Sequence, residues 1–135
     1  PKPHTVVVMV GQLHLGIINA LNYARGLRAD HLVALHVCLE DDDGTRLSEQ
    51  WRQLGIDVPL ETVEAPYRDI GPAVDAHIQE LLRRWPGTTM TVVISQYAGG
   101  GLFDDLLHNQ TLVLLRERLM VRDGVTVASV PYHIT

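Results

Sequence analysis

The fold of this chain is decided by the segment Ser95 to Leu115, SQYAGGGLFDDLLHNQTLVLL, which reads as a strand end, a glycine-rich turn and a helix. Gly99, Gly100 and Gly101 permit a tight turn and a close approach of the backbone to a ligand. Leucines and Phe103 then recur at helical spacing and predict a buried helix face. A strand, a glycine turn and a helix N-terminus present backbone N–H groups to an anion, so this segment is a candidate phosphate site.

Four consecutive polar residues interrupt the apolar pattern of this predicted helix: His108, Asn109, Gln110 and Thr111. Successive helical residues point in different directions, so some of the four lie near the apolar side. Two interpretations are open: these side chains bind a ligand, or they satisfy local backbone groups or meet a partner subunit. The preceding pair Asp104–Asp105 suits the positive end of a helix dipole, although two carboxylates there would repel a phosphate.

Composition places the chain among small α/β domains. Its 135 residues fit one compact domain, so a single domain spanning residues 1–135 is expected. Hydrophobic residues make up 46% but aromatic residues only 5%, so the core must be built from Val, Leu, Ile and Ala, as in parallel strands buried on both faces. The net charge of −5, with scattered basic residues, argues against long nucleic acid as a partner.

The single cysteine, the short apolar runs and the first residues of the sequence bear on where in the cell the protein is found. Cys38 has no second cysteine with which to form an internal disulfide, which suits a reducing environment. The apolar runs are far shorter than the ~20 residues that a membrane helix needs, so a soluble fragment is expected. The sequence starts Pro-Lys-Pro-His without an initiator methionine, so we expect a piece from the C-terminus of a longer membrane protein, with a processed or trimmed chain as the alternative.

Strand and helix patterns alternate along the whole sequence. Apolar, β-branched runs predict strands at His4–Val10, His31–Cys38, Val58–Ala65, Thr89–Ser95 and Gly124–Pro131. Apolar residues at helical spacing predict helices over Gln12–Leu27, Thr45–Leu54, Ile70–Trp85 and the segment after Gly101. This βαβαβαβαβ order predicts a parallel sheet with right-handed crossovers and helices on both faces.

In such sheets, ligands lie outside the carboxyl ends of the strands, near the point where strand order reverses. The predicted loops at those ends are Val10–His14, Cys38–Thr45, Ala65–Asp69, Ser95–Phe103 and Pro131–His133. They bring together His14, Tyr67, Arg68, the three glycines and Tyr132. These groups suit stacking and hydrogen bonding more than bond breaking.

Signatures of catalysis and of metal binding are missing from the sequence. There is no G-x-G-x-x-G after the first strand, no P-loop and no H-E-x-x-H or C-x-x-C pattern. The acidic run after Cys38 is not an EF-hand, because its first and twelfth positions would be Leu39 and Gln50. A nucleophilic pair of Cys38 and His36 lacks an orienting acid. We therefore expect a protein that is not an enzyme and needs no metal or cofactor.

With this element order and glycine-rich turn, the chain resembles a universal-stress-protein (USP) domain, which is adenine nucleotide α-hydrolase-like. Nucleotide-binding members carry G-x-x-G, nine residues and G-[ST] around the phosphates, but here the glycine positions hold Ser95, Ala98 and His108, and the serine position holds Asn109. The first strand also lacks the family's ATP-contacting aspartate. These departures argue against ordinary ATP binding.

A closer resemblance is to the cytosolic C-terminal domain of APC-superfamily permeases, including amino-acid permeases and potassium importers of the KimA type. It rests on the strings HTVVV with Leu13-His14, PYR with Gly71-Pro72, LHNQT from Leu107, and SVPYH from Ser129. The resemblance implies a homodimer, a preceding transmembrane domain and a location at the cytoplasmic face of the cell membrane. In the potassium importers it also implies inhibition by cyclic di-AMP.

For this chain we expect a five-stranded parallel sheet in the order 3-2-1-4-5, with the strand Val125–Val130 at one edge. We also expect two copies of the chain to form a dimer through that last strand. The expected ligand-binding residues are His14, Tyr67, Arg68, Gly99, Gly100, His108, Asn109 and Thr111. Tyr67 would stack on a base, Arg68 would pair with a phosphate, and the others would supply polar contacts. The alternatives are that Tyr67 plugs the sheet edge, Arg68 caps a carboxylate, and the HNQT string serves dimer or core hydrogen bonding.

Three functional hypotheses follow. The first is a non-enzymatic regulatory domain of a transporter that senses an adenine nucleotide, with cyclic di-AMP favoured. The second is a structural dimerisation module that binds no small ligand. The third is a free-standing stress protein that binds ATP, which the replaced glycines disfavour.

Overall fold

The structure, a computed structural model, describes residues 2–11, 15–39, 43–65, 67, 69–97, 117–119 and 122–132. Eight elements are defined within these residues: β1 (His4–Met9), α1 (Leu15–Gly26), β2 (His31–Cys38), α2 (Asp43–Gln53), β3 (Leu60–Glu64), α3 (Ile70–Arg84), β4 (Thr89–Tyr97) and β5 (Val125–Tyr132). Residues 117–119 are also helical. The helix predicted after Gly101 otherwise lies outside the described residues, and all five predicted strands are confirmed.

The five strands form one sheet in the order β3-β2-β1-β4-β5, and every neighbouring pair is parallel. The predicted strand order and orientation are confirmed. The central strand β1 is flanked on both sides, which matches its nearly unbroken run of buried valines. In the described sheet, β3 and β5 are the two edge strands.

Each face of the sheet is covered by helices. Alternate residues of β1 point to opposite faces, so Val6 and Val8 pack with α1 and α2, while Val7 and Met9 pack with α3. On the α1 side, α1 lies over β1, β4 and β5, whereas α2 lies over β2 and β3. The α3 side also buries Leu119 from the helical turn 117–119. Helices on both faces were predicted, and the described layers confirm them.

The α2 helix begins at Asp43, two residues before the predicted Thr45, so the loop predicted over Cys38–Thr45 is too long. Acidic residues favour a helix start because they stabilise its positive end. Gly44 fits inside the first turn because a Cβ there would lie 2.9 Å from Cys38 Sγ. Glycine at this position therefore lets the start of α2 approach β2 closely.

Two strand boundaries also differ from the prediction. β3 starts at Leu60 and not at Val58, since Pro59 has no N–H to donate, although its carbonyl accepts a hydrogen bond from the Ala34 N–H at 2.8 Å. β4 continues to Tyr97 because β5 continues alongside it to Tyr132. The β4–β5 pair is therefore the longest in the sheet and extends past the ends of its neighbours.

The amino end of β1 is anchored by several hydrogen bonds. The Pro3 carbonyl accepts from the Thr89 N–H at 2.8 Å and from Thr88 Oγ1 at 3.2 Å. The His4 N–H donates to Asp30 Oδ2 at 2.8 Å. The chain is thus fixed at Pro3 and His4 against the residues that precede β2 and β4.

An ion network ties α3 to the edge strand β3. Arg84 Nη1 donates to Glu61 Oε2 at 2.6 Å, and His77 Nε2 lies 2.7 Å from Glu61 Oε1. The Arg84 guanidinium holds the pKa of the Glu61 carboxyl below its ordinary value, with His77 acting in the same direction and partial burial opposing both. The carboxylate form of Glu61 is therefore favoured by folding.

This network predicts an acid-dependent loss of stability. Because the pKa of Glu61 is lower in the folded state, its contribution is present above the unfolded-state pKa and is lost as pH falls through the folded-state pKa. We expect Glu61→Gln to lower the free energy of unfolding at pH 7 by about 0.5–1 kcal/mol, a modest effect since Arg84 is partly exposed. Urea titrations between about pH 6 and pH 3 should show the variant and the wild type converging on the acid side.

The control for this experiment is Glu80→Gln. Glu80 also pairs with an arginine of α3, Arg83, at 3.3 Å, but both side chains are about half exposed or more. This variant should change neither the stability nor its pH dependence measurably. Identical acid profiles for Glu61→Gln and the wild type would contradict the predicted role of Glu61.

Candidate functional site

The strand order reverses between β1 and β4, and the carboxyl ends of these two strands meet at one edge of the sheet. The chain leaves β1 at Val10–Gly11 and leaves β4 after Tyr97. A crevice at such a reversal is the usual ligand position in open α/β sheets. This carboxyl edge is therefore the candidate site, as the sequence predicted.

The structure describes one of the predicted ligand-binding residues, Tyr67. The others lie outside the described residues: His14, Arg68, Gly99, Gly100, His108, Asn109 and Thr111. Their assignment to a binding site stays a prediction from the sequence.

Tyr67 follows β3 at the carboxyl edge of the sheet, and its side chain is fully exposed, with a relative accessibility of 101%. The alternative that it plugs the sheet edge is therefore wrong. Its φ angle is 59°, in the left-handed region that a bulky side chain rarely adopts. This conformation costs on the order of 1 kcal/mol and holds an aromatic ring in solvent, where the ring is free to stack on a ligand.

His36 of β2 is a buried polar residue at this edge that the sequence analysis did not assign to the site. It is 2% exposed, and its Nδ1 lies 2.8 Å from the carbonyl oxygen of Val10. A carbonyl oxygen only accepts hydrogen bonds, so Nδ1 carries the proton and donates. In the neutral ring Nε2 is then an acceptor, and it has no hydrogen-bond partner among the described residues.

Ser95 of β4 is a second buried polar residue of this kind. It is 2% exposed, and its Oγ also lacks a partner in the described part of the chain. Met9 pairs with Leu35 and Val8 pairs with Val93, so extending both registers places His36 and Ser95 on either side of Val10. Their side chains point to the α1 side, since Ala34 and Val93, two residues earlier on their strands, pack there.

The two polar atoms do not bond each other, since neither has a hydrogen-bond partner among the described residues. Two strand spacings separate β2 from β4, which is about 10 Å. An unsatisfied buried hydrogen-bonding atom costs about 1–3 kcal/mol, so His36 Nε2 and Ser95 Oγ each call for a separate partner. The signal in the sequence was a polar residue directly after an apolar run, His36 after LVAL and Ser95 after VVI.

A separate open cleft of about 490 Å³ lies between α2 and the carboxyl ends of β2 and β3. It is lined by Cys38, Gly44, Thr45, Ser48, Glu49, Arg52, Thr62 and Glu64. Within this cleft, Arg52 forms an ion pair with Glu49, which lies on the same helix, α2. No pattern in the sequence indicated this cleft, which adjoins the outer strand β3 and not the strand-order reversal.

The described side chains of the carboxyl edge offer a ring nitrogen, a hydroxyl and an aromatic ring. These groups can accept, donate and stack, which are binding functions. Within the described ranges, no cluster of three or more His, Cys, Asp or Glu side chains is arranged to hold a metal ion. None of the helices in the described part of the chain is long and apolar enough to cross a membrane.

Comparisons with known proteins match nearly the whole chain. The model of a family described as the KimA potassium transporter C-terminal domain matches residues 2–132. The chain is also similar to a protein of Bacillus subtilis (strain 168) named potassium transporter KimA, with 27% identity over 134 residues. That alignment covers 98% of this chain and 22% of the relative, so the chain spans about a fifth of the length of the relative.

Proposed function

The chain belongs to the family of KimA potassium transporter C-terminal domains, and from this premise we propose that it is a cytosolic regulatory domain of a potassium transporter of the APC superfamily. In this proposal, it forms a homodimer on the cytoplasmic face of the membrane and senses an adenine nucleotide, cyclic di-AMP. The family match over residues 2–132 is the observation that carries the proposal. The transmembrane domain of the parent protein is the partner that the domain regulates.

The carboxyl edge of the sheet supports ligand binding by this domain. A nucleotide brings a flat base, hydrogen-bonding groups and phosphates, and the edge has an exposed ring at Tyr67 and partnerless polar atoms at His36 and Ser95 among the described residues. The sequence predicts two further contributions, Arg68 directly after Tyr67 and the HNQT string at 108–111. These features support a ligand that is held by side chains.

The sequence favours a cyclic dinucleotide over ATP. Glycine lets phosphates lie against a helix backbone in ATP-binding USP domains, whereas here the corresponding glycine position carries the larger polar residue His108, and the serine position after it carries Asn109. A two-fold-symmetric ligand also suits a site to which both subunits of a homodimer contribute. We therefore expect cyclic di-AMP to bind more tightly than ATP.

Calorimetric titration of each nucleotide into the domain tests this proposal. Measurable heat with cyclic di-AMP and little with ATP is the expected result. Tighter binding of ATP would favour a stress protein of the ATP-binding type. The absence of binding by either nucleotide would favour a structural dimerisation module.

The homodimer is proposed to form through the edge strand β5. Left bare, a β-branched edge strand invites association, and pairing with its twin across a two-fold axis closes the edge. Thr126 is exposed on β5, so a lysine there would place like charges near each other in the dimer. We expect light scattering at high micromolar concentration to report twice the mass of 15.0 kDa for the wild type and a shift toward the single-chain mass for Thr126→Lys.

Thr62→Lys provides the matched control, because Thr62 is an exposed threonine on the opposite edge strand, β3. It should leave the mass unchanged. A wild type that stays at the single-chain mass, or an equal effect of the two lysines, would rule out dimerisation through β5.

A further inference from the structure

The hydrogen bond that Nδ1 of His36 makes determines which kind of group the other ring nitrogen, Nε2, can bind. Nδ1 is committed as a donor to the Val10 carbonyl at 2.8 Å, which fixes the tautomer and the orientation of the ring. In the neutral ring Nε2 is left as an acceptor, and it is buried without a hydrogen-bond partner within the described residues. A group that satisfies it must therefore donate a hydrogen bond.

We infer that His36 Nε2 is the base-recognising acceptor of the nucleotide site and that Ser95 Oγ is a second contact to the same ligand; this inference rests on the proposed function. The register places both residues beside Val10 at the carboxyl ends of β2 and β4, and their side chains point to one face. A nucleoside is an elongated ligand, a base joined to a sugar. Its shape suits two polar atoms that lie two strands apart.

The chemistry of the acceptor selects the base. Adenine carries an exocyclic amine that donates a hydrogen bond, whereas guanine carries a carbonyl oxygen at the corresponding position. The adenine amine pairs with His36 Nε2, while the guanine oxygen would face a second acceptor and leave both atoms unsatisfied. His36 would thus make the site specific for adenine nucleotides over guanine nucleotides.

The experiment compares cyclic di-AMP with cyclic di-GMP on the wild type and three variants by calorimetry. His36→Asn keeps a side-chain amide that can donate to Val10 but removes the acceptor at the Nε2 position. Ser95→Ala removes the second contact. His77→Asn is the control, since His77 lies on α3 and bonds Glu61.

The wild type should bind cyclic di-AMP and discriminate against cyclic di-GMP. His36→Asn should weaken cyclic di-AMP binding roughly ten- to hundredfold and reduce the discrimination, because the acceptor is lost. Ser95→Ala should weaken binding by a smaller factor, about tenfold or less. His77→Asn should bind both nucleotides like the wild type.

A second measurement covers the case in which His36→Asn does not fold. Nitrogen-15 spectra of the wild-type histidine rings should show Nδ1 protonated in His36, and the Nε2 resonance should shift when cyclic di-AMP is added. Wild-type binding with unchanged affinity in His36→Asn, or with no shift of His36 Nε2, would overturn this inference and leave the proposed function standing. A wild type that binds neither dinucleotide would overturn both.

Discussion

Replacing Arg68 by alanine is expected to weaken binding of cyclic di-AMP by roughly one to two decades, or about 1.5–3 kcal/mol. Arg68 follows the exposed Tyr67 directly in the sequence, four positions after Glu64, the last residue of β3. A guanidinium can form two parallel charge-assisted hydrogen bonds with a phosphate, which are among the strong polar contacts of proteins. In the proposed site side chains hold the phosphates, because His108 stands at a glycine position of the ATP-binding USP domains that the sequence resembles, so the loss of this arginine should be large.

Two further variants distinguish a direct contact between Arg68 and a phosphate from a general effect of positive charge. Arg68→Lys keeps the positive charge but loses the planar fork, so it should recover only part of the affinity. Arg83→Ala removes the same charge from an exposed position at the end of α3, which runs back toward the amino edge of the sheet. If Arg83→Ala weakened binding as much as Arg68→Ala, general electrostatic attraction would account for the effect and the contact would not exist.

Replacing Trp51 by alanine is expected to lower the free energy of unfolding by about 3–5 kcal/mol. Trp51 of α2 is 5% exposed, packs in the core between this helix and the sheet, and donates from its indole N–H to the Val58 carbonyl at 2.7 Å. The truncation leaves a cavity and an unpaired carbonyl in the same place. Since whole domains are stable by only about 5–15 kcal/mol, this variant should be close to unfolding at 25 °C.

Urea denaturation followed by circular dichroism measures this effect, with two matched variants. Trp51→Phe retains most of the apolar volume but loses the donor to Val58, so it should cost about 1–2 kcal/mol. Trp85→Ala removes the other tryptophan, which is half-buried and stacks on His31 at a ring distance of 4.1 Å. It should cost less than Trp51→Ala, and the reverse ranking would show that α2 is held to the sheet by contacts other than Trp51.

Much of the sheet could be predicted from the sequence because its strands are buried on both faces. Runs such as HTVVVMV and HLVALHVC leave no polar side for solvent, and both were assigned as strands within a residue of their observed ends. The helix and strand boundaries that differ from the prediction depend on residues that are close in space but distant in the sequence. The start of α2 depends on how closely Gly44 approaches Cys38, and the end of β4 depends on the length of β5 beside it.

The candidate site was less accessible to sequence reasoning. The position of the site at the carboxyl edge follows from parallel topology alone. The role of His36, however, depends on the Val10 carbonyl, which lies 26 residues away along the chain and reaches the imidazole only through the register of β1 with β2. The left-handed backbone of Tyr67 is also invisible in the sequence, since tyrosine has no preference for that region.

The anchoring of Pro3 has a mechanical consequence. A pull applied to the chain at Pro3 is first resisted by the hydrogen bonds that its carbonyl accepts from Thr88 and Thr89. Beyond them, β1 is bonded to β2 on one side and to β4 on the other, so force along the strand loads both ladders in shear instead of peeling them apart one bond at a time. Tension applied at Pro3 is therefore transmitted along the central strand to the carboxyl edge of the sheet with little extension.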